Sequence, residues 1–112
     1  MSPIRLTHAT ALILQALASG RRHGFQIMDV TDLPSGTVYP VLRRLEREKA
    51  VESEWEDQAE ASAAGRRQRR VYQLTEPGQL LAERARQRLA DTQRLLEGGA
   101  LGEVGSAGSG GA

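Results

Sequence analysis

The run from Leu33 to Glu46 (Leu-Pro-Ser-Gly-Thr-Val-Tyr-Pro-Val-Leu-Arg-Arg-Leu-Glu) constrains the chain more than any other stretch, because a helix-start signal leads straight into a two-faced helix. Val38, Val41, Leu42 and Leu45 recur at i, i+3, i+4 and i+7 and predict a buried stripe. Thr37, Tyr39, Arg43, Arg44 and Arg47 fall off that stripe and predict an exposed, basic face. Ser35 is the expected N-cap, since its hydroxyl can accept from a first-turn amide. Pro40 removes one hydrogen bond in the second turn, and a slight kink there is expected to tilt Tyr39 outward. A basic face opposite an apolar stripe also suits an ordinary surface helix, so the neighbouring elements decide its meaning.

Upstream, Leu6, Ala9, Ile13, Ala16 and Leu17 fit a helix that starts near Thr7 or Ser2 and stops at Gly20. Arg21, Arg22 and His23 link it to a short helix from Gly24 to Thr31, with Phe25, Ile27, Met28 and Val30 facing inward. Asp32, Leu33 and Pro34 make the turn into the third helix, which should end near Glu48 or Lys49. Val51, Ser53 and Trp55 then alternate with Glu52, Glu54 and Glu56 in the period of a strand. Gln58 to Gly65 reads as a flexible hairpin tip, and Arg70 to Leu74 as the return strand with Tyr72 and Leu74 inward. Trp55 is expected to pack this hairpin onto the helices. Thr75 caps a last helix that should run to Glu97, with a thin seam of Leu81, Ala85, Leu89, Thr92 and Leu96 suited to a partner helix. Seven of twelve glycines fall in 98–112, a composition expected to stay disordered.

The fold class expected is therefore mainly α with a small β-hairpin: a winged helix-turn-helix over 1–74, a dimerisation helix over 75–97 and a Gly/Ser-rich tail over 98–112. A chain of 112 residues forms one modest core and gains from burying more surface as a homodimer. The absence of cysteine excludes disulfides and thiolate metal sites. No signal peptide or membrane span is recognisable, which predicts a cytoplasmic protein. The formal net charge is only +1, so nucleic-acid binding has to come from local clusters. There are two, Arg43, Arg44, Arg47 and Lys49, then Arg66, Arg67, Arg69 and Arg70, with a run of acidic residues between. His8 and His23 lie far apart and no phosphate loop or paired-acid motif occurs, so neither an enzyme nor a metal or cofactor site is expected.

Three blocks carry a resemblance: His23-Gly24-Phe25, then Ser35 to Glu46, then Arg69-Arg70-Val71-Tyr72-Gln73-Leu74-Thr75-Glu76-Pro77-Gly78. On these the sequence resembles the PadR family of bacterial transcriptional regulators, over roughly Thr7 to Leu96. The resemblance implies a winged helix-turn-helix that dimerises through its last helix and represses promoters at pseudo-palindromic operators on double-stranded DNA. It places DNA contacts on Ser35, Gly36, Thr37, Tyr39, Arg43 and Arg44 of the third helix, and on Arg66, Arg67 and Arg69 of the wing. Arg43 is the candidate for base readout, because an Arg bidentate to guanine contributes about 1–3 kcal/mol of discrimination. Thr37 and Tyr39 suit phosphates better.

Three features depart from the family pattern. The second helix is short. Ala50 stands where a glycine is usual, a strained position if the backbone there has positive φ. Asp29 and Asp32 lie near the DNA-facing turn, where they could oppose phosphate or pair with an arginine. Some family members release DNA when phenolic acids or planar drugs enter a cavity at the dimer interface, which leaves a small-molecule inducer open. The last helix carries no aromatic residue, so no aromatic-stacking drug site is expected from it. Two other readings stay open: a winged helix that binds protein, and an architectural DNA binder indifferent to sequence.

Overall fold

The structure, a computed structural model, describes residues 4–101. Its elements are α1 (His8–Ala18), α2 (Gly24–Thr31), α3 (Ser35–Arg47), β1 (Val51–Trp55), α4 (Gln58–Ala63), β2 (Arg70–Leu74) and α5 (Glu76–Leu101). Helix α1 is the hub. Its Ala11, Ile13, Leu14, Ala16 and Leu17 are buried in one cluster with Ile27 of α2, Val38, Leu42 and Leu45 of α3, and Leu81, Ala82 and Ala85 of α5. Thr7 caps it by accepting from the Thr10 amide at 3.2 Å, and Gln15 ties it to α5 by donating to the Ala82 carbonyl at 2.7 Å.

Five residue pairs, from Val51 opposite Leu74 to Trp55 opposite Arg70, set the register of the antiparallel hairpin. Val51 and Tyr72 are buried and seat its base on the helices. The Tyr72 amide also donates to the Arg22 carbonyl at 2.8 Å, which joins the α1–α2 link to the wing. Trp55 does not do the packing expected of it: at the outer end of the paired strands it is 60% exposed, with the Arg70 guanidinium over its ring at 5.0 Å.

Residues 58–65 are not a flexible tip. Asp57 accepts from the amides of Ala59 and Glu60 at 2.7 and 3.2 Å and so caps α4, which buries Ala61 and ends before Gly65 at φ +71°. At the other helix ends, Pro34 rather than Ser35 occupies the N-cap of α3, with no side-chain cap. The positive φ after α3 falls on Lys49, at +66°, and not on Ala50. Asp32 takes the left-handed C-cap of α2.

Helix α5 outruns its expected end at Glu97 and continues through Leu101. A helix already under way loses only about 1 kcal/mol per glycine, whereas nucleation is the costly step. The remainder of the expected tail, 102–112, lies outside the described residues. The seam on α5 is also divided. Leu81 and Ala85 are buried against α1 of the same chain and cannot serve a partner; Leu89 packs at the edge of that core, Thr92 is half-buried and Leu96 is exposed.

Candidate nucleic-acid interface

Helix α3 buries Val38, Leu42 and Leu45 and turns Ser35, Gly36, Pro40, Arg43, Arg44 and Arg47 outward. Because its N-cap is a proline, no side chain competes for the first-turn amides at Ser35 and Gly36. They face solvent at the positive end of the helix dipole, an arrangement that suits a phosphate oxygen. About two to three turns further on, Arg43, Arg44 and Arg47 form no ion pair among the described residues. Lys49, also exposed and unpaired there, extends this basic face. Asp29 and Asp32 are exposed and likewise form no ion pair among the described residues.

Tyr39 is half-buried instead of tilted outward. Its ring lies over Gly24, where an added Cβ would sit 2.3 Å from the phenol oxygen. Tyr39 thereby helps line a small cavity of about 190 Å³ with His23, Phe25, Trp55, Arg69 and Tyr72. Burial, with Tyr39 nearby as a second cause, raises the pKa of Tyr72, so its phenol stays neutral. Thr37 is half-buried on the same turn.

The wing arginines expected to meet DNA are mostly engaged within the chain. Arg66 grips Glu56 with both terminal nitrogens, at 2.5 and 2.6 Å. Arg69 lies over the Phe25 ring at 4.6 Å, its amide donates to Glu56 Oε1 at 3.2 Å, and its Nε is 3.8 Å from the same oxygen. The Arg66 hydrogen bond, with smaller help from Arg69, holds the Glu56 carboxyl down to about 2. Arg67 stays exposed.

Glu46 was not singled out from the sequence, yet with Arg70 of the second basic cluster it joins wing to helix. Glu46 of α3 accepts from the Ser53 hydroxyl of β1 at 2.6 Å and lies 3.8 Å from Arg70 of β2. The i, i+3 and i, i+4 pattern of α3 marked Glu46 as surface and carried no sign of a cross-element bond.

Three helices around one core, a two-stranded wing beside the third, and a basic outer face on that third helix define a winged helix-turn-helix protein. The PadR family of transcriptional regulators, described as "Transcriptional regulator PadR-like family", matches residues 13–84. The chain belongs to that family, whose members regulate transcription through DNA and are not enzymes. Among solved structures, a Streptococcus mutans protein is similar at 18% identity with a TM-score of 0.72, over 95% of this chain and 98% of that one. A PadR family transcription regulator from Clostridium difficile is similar at 21% identity and TM-score 0.66, over 81% and 96%. Lactococcus lactis ZitR is similar at 16% identity and TM-score 0.67, over 95% and 67%. These likenesses carry the fold alone. No curated protein matches the chain. No helix among the described residues is long and apolar enough to cross a membrane.

Proposed function

We propose that this PadR-family protein is a sequence-specific repressor that binds a pseudo-palindromic operator as a homodimer. The observation that carries the reading is the outer face of α3: an uncapped N-terminus at Ser35 and Gly36, followed by Arg43, Arg44 and Arg47 with no acidic partner among the described residues. Ser35, Gly36 and Thr37 would anchor a phosphate, Arg43 would read a base edge, and Arg44 and Arg47 would meet the flanking backbone. Tyr39 would act from the edge of its packed ring. In the wing, Arg67 has the exposure to reach phosphate; Arg66 and Arg69 would have to leave Glu56 first.

The test is selection from random and genomic duplexes at near-physiological salt, followed by Arg43→Ala. An enriched inverted repeat supports the dimeric reading, and Arg43→Ala should then lose about 5- to 150-fold in operator preference, equivalent to about 1–3 kcal/mol, with binding to random DNA retained. Retention without sequence preference would point to an architectural binder, and no retention to a protein partner.

A further inference from the structure

The two basic clusters are treated oppositely by the fold. On α3, Arg43, Arg44 and Arg47 form no ion pair among the described residues. On the wing, two carboxylates hold three of the four arginines: Glu56 takes Arg66 and Arg69, and Glu46 takes Arg70. The Glu56 grip is the more complete. It engages both terminal nitrogens of Arg66 and the backbone amide of Arg69, whose Nε lies 3.8 Å away as an ion-pair contact without a hydrogen bond, and its side chain is only 9% exposed. Phosphate contacts contribute affinity for every sequence alike, whereas base contacts create preference. Arginines held inside the protein therefore add little to binding that ignores sequence.

We propose that Glu56 is a specificity-setting residue of the wing: by holding Arg66 and Arg69 within the protein it keeps two cations off the phosphate backbone, so that α3 decides where the protein binds. The proposal rests on the DNA-binding reading above. It concerns a carboxylate that, on charge alone, would seem merely unfavourable near DNA. Glu56 is a positioning residue; it need not touch DNA.

The experiment is the salt dependence of binding by the full chain to a random duplex, for the wild type, Glu56→Gln and Glu54→Gln. Glu54 supplies the control, since it is an exposed wing carboxylate that forms no ion pair among the described residues. Each phosphate contact steepens the slope of log affinity against log salt by about 0.9. Glu56→Gln should therefore lose affinity about 3-fold more than the wild type between 50 and 200 mM salt if one arginine is freed, and about 12-fold more if two are freed. Glu56→Gln/Arg66→Gln should recover about one contact's worth of that change. Glu54→Gln removes the same charge but frees no arginine, and should stay close to the wild-type slope.

A Glu56→Gln slope equal to or shallower than the wild type overturns the proposal, because the ion pair would then only brace the wing. Equal steepening in both Gln variants also overturns it, leaving net charge as the cause. If Glu56→Gln does not fold, Glu56→Asp, too short for the two-point grip, must still bind with a steeper slope than the wild type or the proposal falls. Failure of the wild type to bind duplex at 50 mM salt would instead overturn the DNA-binding reading itself.

Discussion

Two glycines show how single residues join distant blocks of this sequence. Gly24 opens α2 directly beneath Tyr39, so the His23-Gly24-Phe25 and Thr37-Val38-Tyr39-Pro40 motifs are two sides of one contact. Gly24→Ala should cost about 1–3 kcal/mol, because the phenol must move to admit a methyl. In a Tyr39→Ala background the same substitution should cost nearly nothing, and thermal melts of the four proteins measure that coupling. Gly78 is tighter still: an added Cβ would lie 1.8 Å from the Ala50 carbonyl oxygen, which already accepts from the Thr75 amide at 3.0 Å. Gly78→Ala should lower the melting temperature more than Gly24→Ala, since backbone rather than a swinging side chain has to give. Both glycines were visible as motif members in the sequence. Their partners, 15 and 28 residues away in number, were not, because no local pattern encodes which surfaces meet.

At the scale of elements, periodicity made α1, α2, α3 and both strands legible, and what it missed is physically specific. The segment 58–65 looked like a loop because it is short and lacks an apolar stripe, yet Asp57 as cap, alanine and glutamate as helix formers and Gly65 as stop are a complete set of helix signals. In the wing the arginines were legible as a cluster but their pairing with Glu56 was not decided, because the sequence shows their number and not their distances to it. Those distances have a consequence for pH. The Glu56 pKa is lowered in the folded protein, so its contribution to wing order is present above the ordinary carboxylate pKa of 4.5 and is lost as pH falls towards about 2. Fluorescence of Trp55, the only tryptophan and next to Glu56, should be unchanged from pH 7 to about 5 and change between about 4.5 and 2. In Glu56→Gln that transition should shrink or vanish.

For the whole molecule, the division of α5 matters most. Its first turns belong to the core of one chain: Leu81, Ala82 and Ala85 are buried on α1, and the Ala82 carbonyl is held by Gln15. At 1.5 Å per residue the helix is about 39 Å long, and its distal half carries Leu95 and Leu96 at 74% and 69% exposure. Leu95 also borders a cleft of about 590 Å³ that Ile4, Leu6 and Thr92 help to form. If a second copy covers this distal face, substitutions on the two halves should separate folding from assembly. Leu81→Ala should cost about 2–5 kcal/mol of stability, because it empties a packed site inside the chain. Leu95→Glu/Leu96→Glu should leave each chain folded, yet shift sedimentation from dimer to monomer, since charged side chains would replace the apolar contact. The monomer should then lose most of its affinity for an inverted repeat while keeping contact with a single half-site, because two recognition helices must be held about 34 Å apart, one turn of duplex, to occupy both halves together. A double variant that still sediments as a dimer would move the interface elsewhere, and one that melts early would mean that these leucines support the fold of the single chain.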